Sequence, residues 1–256
     1  MARLQEAEML TASRPGTDRW VLKAESFACS LPHSPTISHT GELAFDVDVS
    51  FALDFHSWLS SWVQGHGRPL SGELIVYDYR LQEKTRYAFT SAYLRGLTFP
   101  ELDGALNVAG RLTLNLQATG FAPLAPEKNS GMALNLEAKQ KQWLCRNFKV
   151  SIGNLDTTKV SHVDSIKLTT PGAIPNVGIL VPQHDVQQFV DWRVQGTPLP
   201  ATIQFLSPML QPFFSLSFTA LAGAIAPVAA TGMRSMDLIT RVPVSLIATA
   251  ATLSAG

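Results

Sequence analysis

Apolar and polar positions alternate along most of this chain, and the alternation gives way twice to a helical spacing. In Asp54–Gly65, Phe55, Trp58, Leu59 and Trp62 fall at i, i+3, i+4 and i+7, one apolar stripe on a short helix. Asp185–Gly196 repeats the pattern at an offset of 131, with Val186, Phe189 and Val190 in the same places and Arg193 where Trp62 stands. An Asp opens each segment, where its carboxylate can accept from the free N–H groups of a first turn. A Gly closes each, where the left-handed conformation ends a helix. The stripe residues are therefore expected to pack each helix onto neighbouring strands.

The flanks repeat as well. A β-rich hairpin follows each Gly, Glu73–Arg80 with Thr85–Ala92 and then Thr202–Ser207 with Phe213–Ala220. A short strand ending in Pro comes next, TSAYLRGLTFP to Pro100 and FTALAGAIAP to Pro227. Each half closes on a strand opened by Arg. Leu112, Leu114, Leu116 and Ala118 alternate with polar residues after Arg111, and Val242, Val244, Leu246 and Ala248 keep that register after Arg241. Each half also opens on a Trp-led strand, at Trp20 and at Trp143. Offsets between the copies drift, as loop insertions around a shared core would make them. The pattern predicts a mainly β protein of two tandem β-barrel or sandwich domains, each with one short α-helix. Residues 1–19 read as an arm, 20–121 as the first domain, 122–142 as a linker rich in Pro, Lys, Glu, Ser and Gly, and 143–256 as the second domain. Units of roughly 110 to 125 residues are each large enough for a core of their own.

Charge changes this picture in one place. The net charge is zero, which gives no electrostatic reason to expect nucleic acid or an anionic membrane as partner. From Val194 to Met233, however, there is no charged residue over 40 positions. Pro198, Pro200, Pro208, Pro212 and Pro227 break that run, so it is not a membrane span. The first hairpin carries Glu73, Asp78, Arg80, Glu83, Lys84 and Arg86, whereas its counterpart has no charge at all. A surface stripped of charge usually faces another protein. Phe205, Leu206, Met209, Phe213 and Phe214 are accordingly expected to form a subunit contact. The start, MARLQEAEML, shows no signal or transit peptide, and synthesis in the cytoplasm is expected. Cys29 and Cys145 do not occupy equivalent places and are expected to be buried free thiols.

Candidate chemistry is thin. No Gly-rich phosphate loop, G-x-S-x-G, H-E-x-x-H or C-x-x-C occurs. His33 and His39 share a loop with Cys29, but no further ligand stands at a zinc-like spacing. Asp46 and Asp48 lie two apart on one strand face, which two solvated carboxylates explain. Trp58 and Trp62 sit on the helical stripe and read as packing residues before they read as a sugar platform. No catalytic residue, cofactor or metal site is expected, and the protein is not expected to be an enzyme.

The run F-x-x-W-L-x-x-W-V-x-G, then a hairpin, then TSAYLRGLTFPELDG, then an alternating strand resembles the tail-tube proteins of contractile phages, with relatives in contractile injection systems and type VI secretion. Phe55–Trp58, Ala92–Pro100 and Arg111–Thr119 carry the likeness in the first half. NFKVSIGNLDTTKVSHVDSIKL, PNVGILVPQHDVQQFVDW and the KQKQWL segment at Lys139–Leu144 carry it in the second, where it resembles phage tail proteins with two tube domains in one chain. The first half has a shorter opening than the family, and the second lacks the usual charged hairpin residues. The resemblance implies a structural ring subunit (tube, tube initiator, or tube-to-baseplate or spike adaptor), with itself and other tube, sheath, baseplate or spike proteins as partners. It further implies assembly in a virion or phage-tail-like particle, in which three chains of two domains would make a ring with approximate sixfold symmetry. A soluble two-domain β-barrel that binds a small ligand or glycan is the alternative from a different class.

Overall fold

The computed structural model describes residues 18–24, 27–38, 40–48, 53–127, 143–169, 171, 173–226 and 241–255. Most of the expected arm and linker, together with His39 and Pro227, lies outside these. Over these residues the chain is mainly β with two α-helices, and its sheets include a curled half-barrel. Its elements run β1 (Arg19–Ala24), β2 (Ala28–Leu31), β3 (Thr36–Ile37), β4 (Glu42–Asp48), α1 (Leu53–Val63), β5 (Leu70–Tyr77), β6 (Glu83–Phe99), β7 (Leu102–Asp103), β8 (Arg111–Gln117) and β9 (Gly120–Leu124). There follow β10 (Phe148–Ile152), β11 (His162–Val163), β12 (Ile166–Leu168), β13 (Val177–Pro182), α2 (Val186–Gln195), β14 (Leu199–Leu206), β15 (Pro212–Ile225) and β16 (Arg241–Ala255).

The duplication is visible in the strand order. One sheet runs β2-β1-β5-β6-β8-β4-β3, the other β10-β14-β15-β16-β13-β11-β7. Six consecutive places correspond one to one, β1 to β10, β5 to β14, β6 to β15, β8 to β16, β4 to β13 and β3 to β11. A helix follows β4 in one case and β13 in the other, so sequence order and spatial order agree.

Local chemistry explains most elements. In β8 the leucines at 112, 114 and 116 are buried while Arg111, Thr113, Asn115 and Gln117 are half-exposed, the period-two pattern of a strand with one wet face. Gly65 and Gly196 adopt φ of 85° and 65°, ending α1 and α2 as expected. The Asp residues do not act as the expected caps. Asp54 lies inside the first turn of α1. Asp185 precedes α2 but makes no side-chain cap bond, being drawn instead to Lys159 Nζ at 3.4 Å.

Two strand expectations are corrected. The segment ending at Pro100 is not a separate strand, because β6 runs on through it for 17 residues. A positive φ of 48° at Ser91 bends the strand and lets it exchange partners without ending. β15 runs on likewise for 14 residues. Trp143 does not start a strand, since β10 begins only at Phe148. Its ring lies against Gly110, whose N–H donates to the Trp143 carbonyl at 2.7 Å; a Cβ at 110 would run into the indole.

Contacts divide the chain into two compact units that do not follow the repeats as contiguous blocks. One unit holds the described residues within 1–47, 69–95 and 113–138; the other holds those within 48–68, 96–112 and 139–256. The first unit has Val21, Ile75 and Tyr77 in one cluster, and Tyr87 stacked between Trp20 and Phe121. In the second, α1 and the segment from the end of β6 to the start of β8 join the whole second repeat. There Ile166, Lys167 and Leu168 of β12 pair with Phe99, Thr98 and Leu97, and β7 pairs with β11.

Candidate assembly surface

The residues expected at a subunit contact fall into two groups. Phe205 and Phe214 are corrected to core residues, at 0% and 1% exposure. They sit opposite each other on β14 and β15 and stack with centroids 4.1 Å apart. Trp143 meets both edge-on, and Phe99 packs on both at 5.5 and 6.2 Å. Their side chains are spent within one chain. Leu206 and Phe213, the neighbours on the other face, are half-buried.

Met209 is 71% exposed at the hairpin turn, and Leu210, which the sequence reading did not single out, is 63% exposed beside it. The turn is a fixed shape. Ser207 Oγ accepts from the N–H groups of Met209 and Gln211, and Leu210 takes a φ of 59°. Two large apolar side chains are thereby held out on a rigid tip.

The helix residues are better separated. Phe55, Trp58, Leu59 and Trp62 are all buried, and Trp58 Nε1 donates to the Arg68 carbonyl at 3.0 Å. On α2, Phe189 is buried, whereas Val186 and Val190 are half-buried. Trp192 is buried and was missed. It lies one turn beyond Phe189 at i+3, and its Nε1 donates to the Thr197 carbonyl at 2.7 Å.

The polar face of α1 meets β16. Ser60 Oγ donates to the Leu253 carbonyl at 2.6 Å, and the ring of His56 is hydrogen-bonded to the Ser254 backbone. His56 Nε2 is buried with no partner. Burial pushes the imidazole pKa below its ordinary 6.5, so the folded state favours the neutral ring. The folded protein then binds fewer protons than the unfolded chain. The resulting stability is complete above pH 6.5 and is lost as pH falls through that value toward the depressed folded pKa. Urea midpoints for the wild type are expected to fall between pH 7.5 and 5.5 by more than those of His56→Gln, which keeps a donor for the Ser254 backbone without the titration. Parallel pH curves for the two would remove His56 from the account.

His162 on β11 has Nδ1 at 3.4 Å from Asp103 Oδ2 and 3.5 Å from Glu101 Oε1, with Nε2 at 3.0 Å from Asp164 Oδ1. This imidazole ties β7 to β11, and Glu101, Asp103 and His162 present a donor set of the kind that suits a divalent cation. Its members come from pieces 59 residues apart, which sequence spacing does not reveal. Asp46, by contrast, simply accepts from Thr113 Oγ1 at 2.6 Å, and the side chain of Asp48 lies outside the described residues. Cys145 is buried, its thiol pKa pushed up by desolvation, while Cys29 is half-buried; neither is joined in a disulfide. An open cavity of about 400 Å³ is lined by Lys23, Ser71, Glu73 and Thr90 among others, with no histidine or cysteine. Among the described residues no helix is long and apolar enough to cross a membrane.

The chain matches no protein-family model and no curated protein.

Proposed function

We propose that this chain is a structural, non-enzymatic subunit that forms the rings of a contractile phage-tail-like machine, as tube, tube initiator or tube-to-baseplate or spike adaptor. The observation that carries the reading is the duplicated sheet, six strands in the same order with a helix entering at the same point. A curled sheet that ends in unpaired strands is a liability in a monomer and a joint in a ring. Two similar repeats per chain suit a ring of three chains with only approximate sixfold symmetry. Neighbouring tube, baseplate or spike proteins, as well as further rings, are the partners this reading implies.

Native mass measurement and negative-stain images test it. A closed assembly of three chains, or stacks of such rings, is the expected result. A chain that stays monomeric at high concentration, or a ring of six full chains, overturns it. The rigid apolar tip gives a second measurement. Met209→Asp is expected to reduce stacking or partner binding while leaving the melting curve in place, because the side chain is already in solvent. Undiminished assembly would place the contact elsewhere.

A further inference from the structure

The first repeat lends two pieces to the unit that holds the second. β7 covers the outer edge of β11, and α1 covers β16 beyond Leu246, where β13 stops pairing. Val63, in the last turn of α1, is 0% exposed. Among the described residues the counterparts of these surfaces carry no such cover. β3, which corresponds to β11, ends its sheet, and β9 pairs with β6 alone among the described strands.

The registers fix which residues correspond. Pro123 pairs with Tyr87 as Leu253 does with Leu216, and Leu124 pairs with Arg86 as Ser254 does with Ser215. Gly120 likewise stands where Ala250, at φ 54°, bends β16. Pro123 therefore occupies the place of Leu253, and Leu124 that of Ser254. On the helices, Gln187 stands for His56, Asp191 for Ser60 and Val194 for Val63. Val194 is 83% exposed where Val63 is 0% exposed, and Pro123 is exposed where Leu253 is buried; Leu124, beside it, is 43% exposed at the place of Ser254, whose backbone bonds the His56 ring.

We propose that α2 of one copy docks on β9 of a second copy, repeating between chains the contact that α1 makes with β16 within one. The proposal rests on the ring-subunit reading above and names the surfaces that form its joint. Val194 packs over Pro123 and Leu124, as Val63 is packed in its own contact. The Gln187 amide donates to the strand backbone in place of the His56 ring. Asp191 cannot donate as Ser60 does; its Oδ1 instead accepts from Gln187 Nε2 at 2.8 Å and aims that amide. Proline at 123 withholds an N–H from the open edge, which blocks strand addition and leaves the edge for a helix. The pairing is head to tail, since each copy offers one helix and one strand, and such a contact continues until a ring closes.

Val194→Asp and Leu124→Asp test it. Each is expected to sediment as a single chain under conditions where the wild type assembles, with an unchanged melting curve because both side chains are already exposed. An equal mixture of the two is expected to give a species of two chains and nothing larger. One partner keeps its strand, the other its helix, and only one joint can form. Wild-type-sized assemblies from either variant, or a mixture that stays as single chains, overturns the proposed joint while leaving the ring reading intact. A wild type that does not assemble at all overturns both.

Discussion

Phe214→Ala is expected to lower stability by about 3–5 kcal/mol, the cost of emptying a large buried aromatic site. The ring is 1% exposed and stacks on Phe205 at 4.1 Å, with Trp143 at 5.6 Å edge-on and Phe99 at 6.2 Å. Such aromatic pairs add about 0.5–1.5 kcal/mol beyond the area they bury. These four rings come from β6, β14, β15 and the segment before β10, so a cavity here loosens several long-range contacts together. Phe213 is the internal control. It differs by one position, points to the other face and is half-buried, so its loss should cost roughly 1 kcal/mol. Urea unfolding of both variants decides the matter. Equal losses would mean that the two faces of the hairpin are not distinguished as described.

That contrast also shows where the sequence stops informing. Period-two alternation identifies β14 and β15 as strands, but the doublets Phe205–Leu206 and Phe213–Phe214 put an apolar residue on each face. Alternation cannot then say which face is buried. Residues outside the run decide it, since Phe99 and Trp143 arrive from far along the chain to cover Phe205 and Phe214. The lack of charge after Val194 therefore has two causes, a core on one face and an exposed tip at Met209 and Leu210. The α1 stripe was readable because 3.6-residue periodicity is local. That α1 belongs with β16, 193 residues away at the Ser60–Leu253 bond, has no local signature. Trp192 was overlooked for a related reason. Matching α2 to α1 by offset placed it opposite Ser61, although its i+3 relation to Phe189 was visible in the sequence. The His162 cluster depends wholly on the pairing of β7 with β11.

Charges on the first hairpin were equally readable as residues and equally silent about burial, and one of them is expected to matter more than any surface ion pair. Arg86→Met should cost about 3–5 kcal/mol, the scale of breaking a buried pair by removing one partner. The guanidinium is 7% exposed and the Glu83 side chain 0%. Nε and Nη2 donate to the two Glu83 oxygens at 2.8 and 2.7 Å, a bidentate fork. Nη1 donates to Glu127 at 2.7 Å and to Glu73 at 3.1 Å. These bonds, that to Glu83 foremost, hold the Arg86 pKa above its ordinary range, so the cation persists at every pH of interest. Methionine fills much of the volume but takes the bidentate guanidinium away from a Glu83 side chain that is 0% exposed, and it frees the segment after β9 that Glu127 ties down. The Glu127 bond contributes little by itself, since that carboxylate is 63% exposed and screened by water. Most of the loss should therefore trace to Glu83. The double variant Arg86→Met, Glu83→Gln is expected to be more stable than Arg86→Met alone, because the carboxylate that the Arg86 fork engaged is replaced together with the fork. Denaturant midpoints for the two single variants and the double one measure that coupling. A loss below about 1 kcal/mol for Arg86→Met, or a double variant no better than the single, would mean that water reaches the cluster and that Arg86 behaves as an ordinary surface cation.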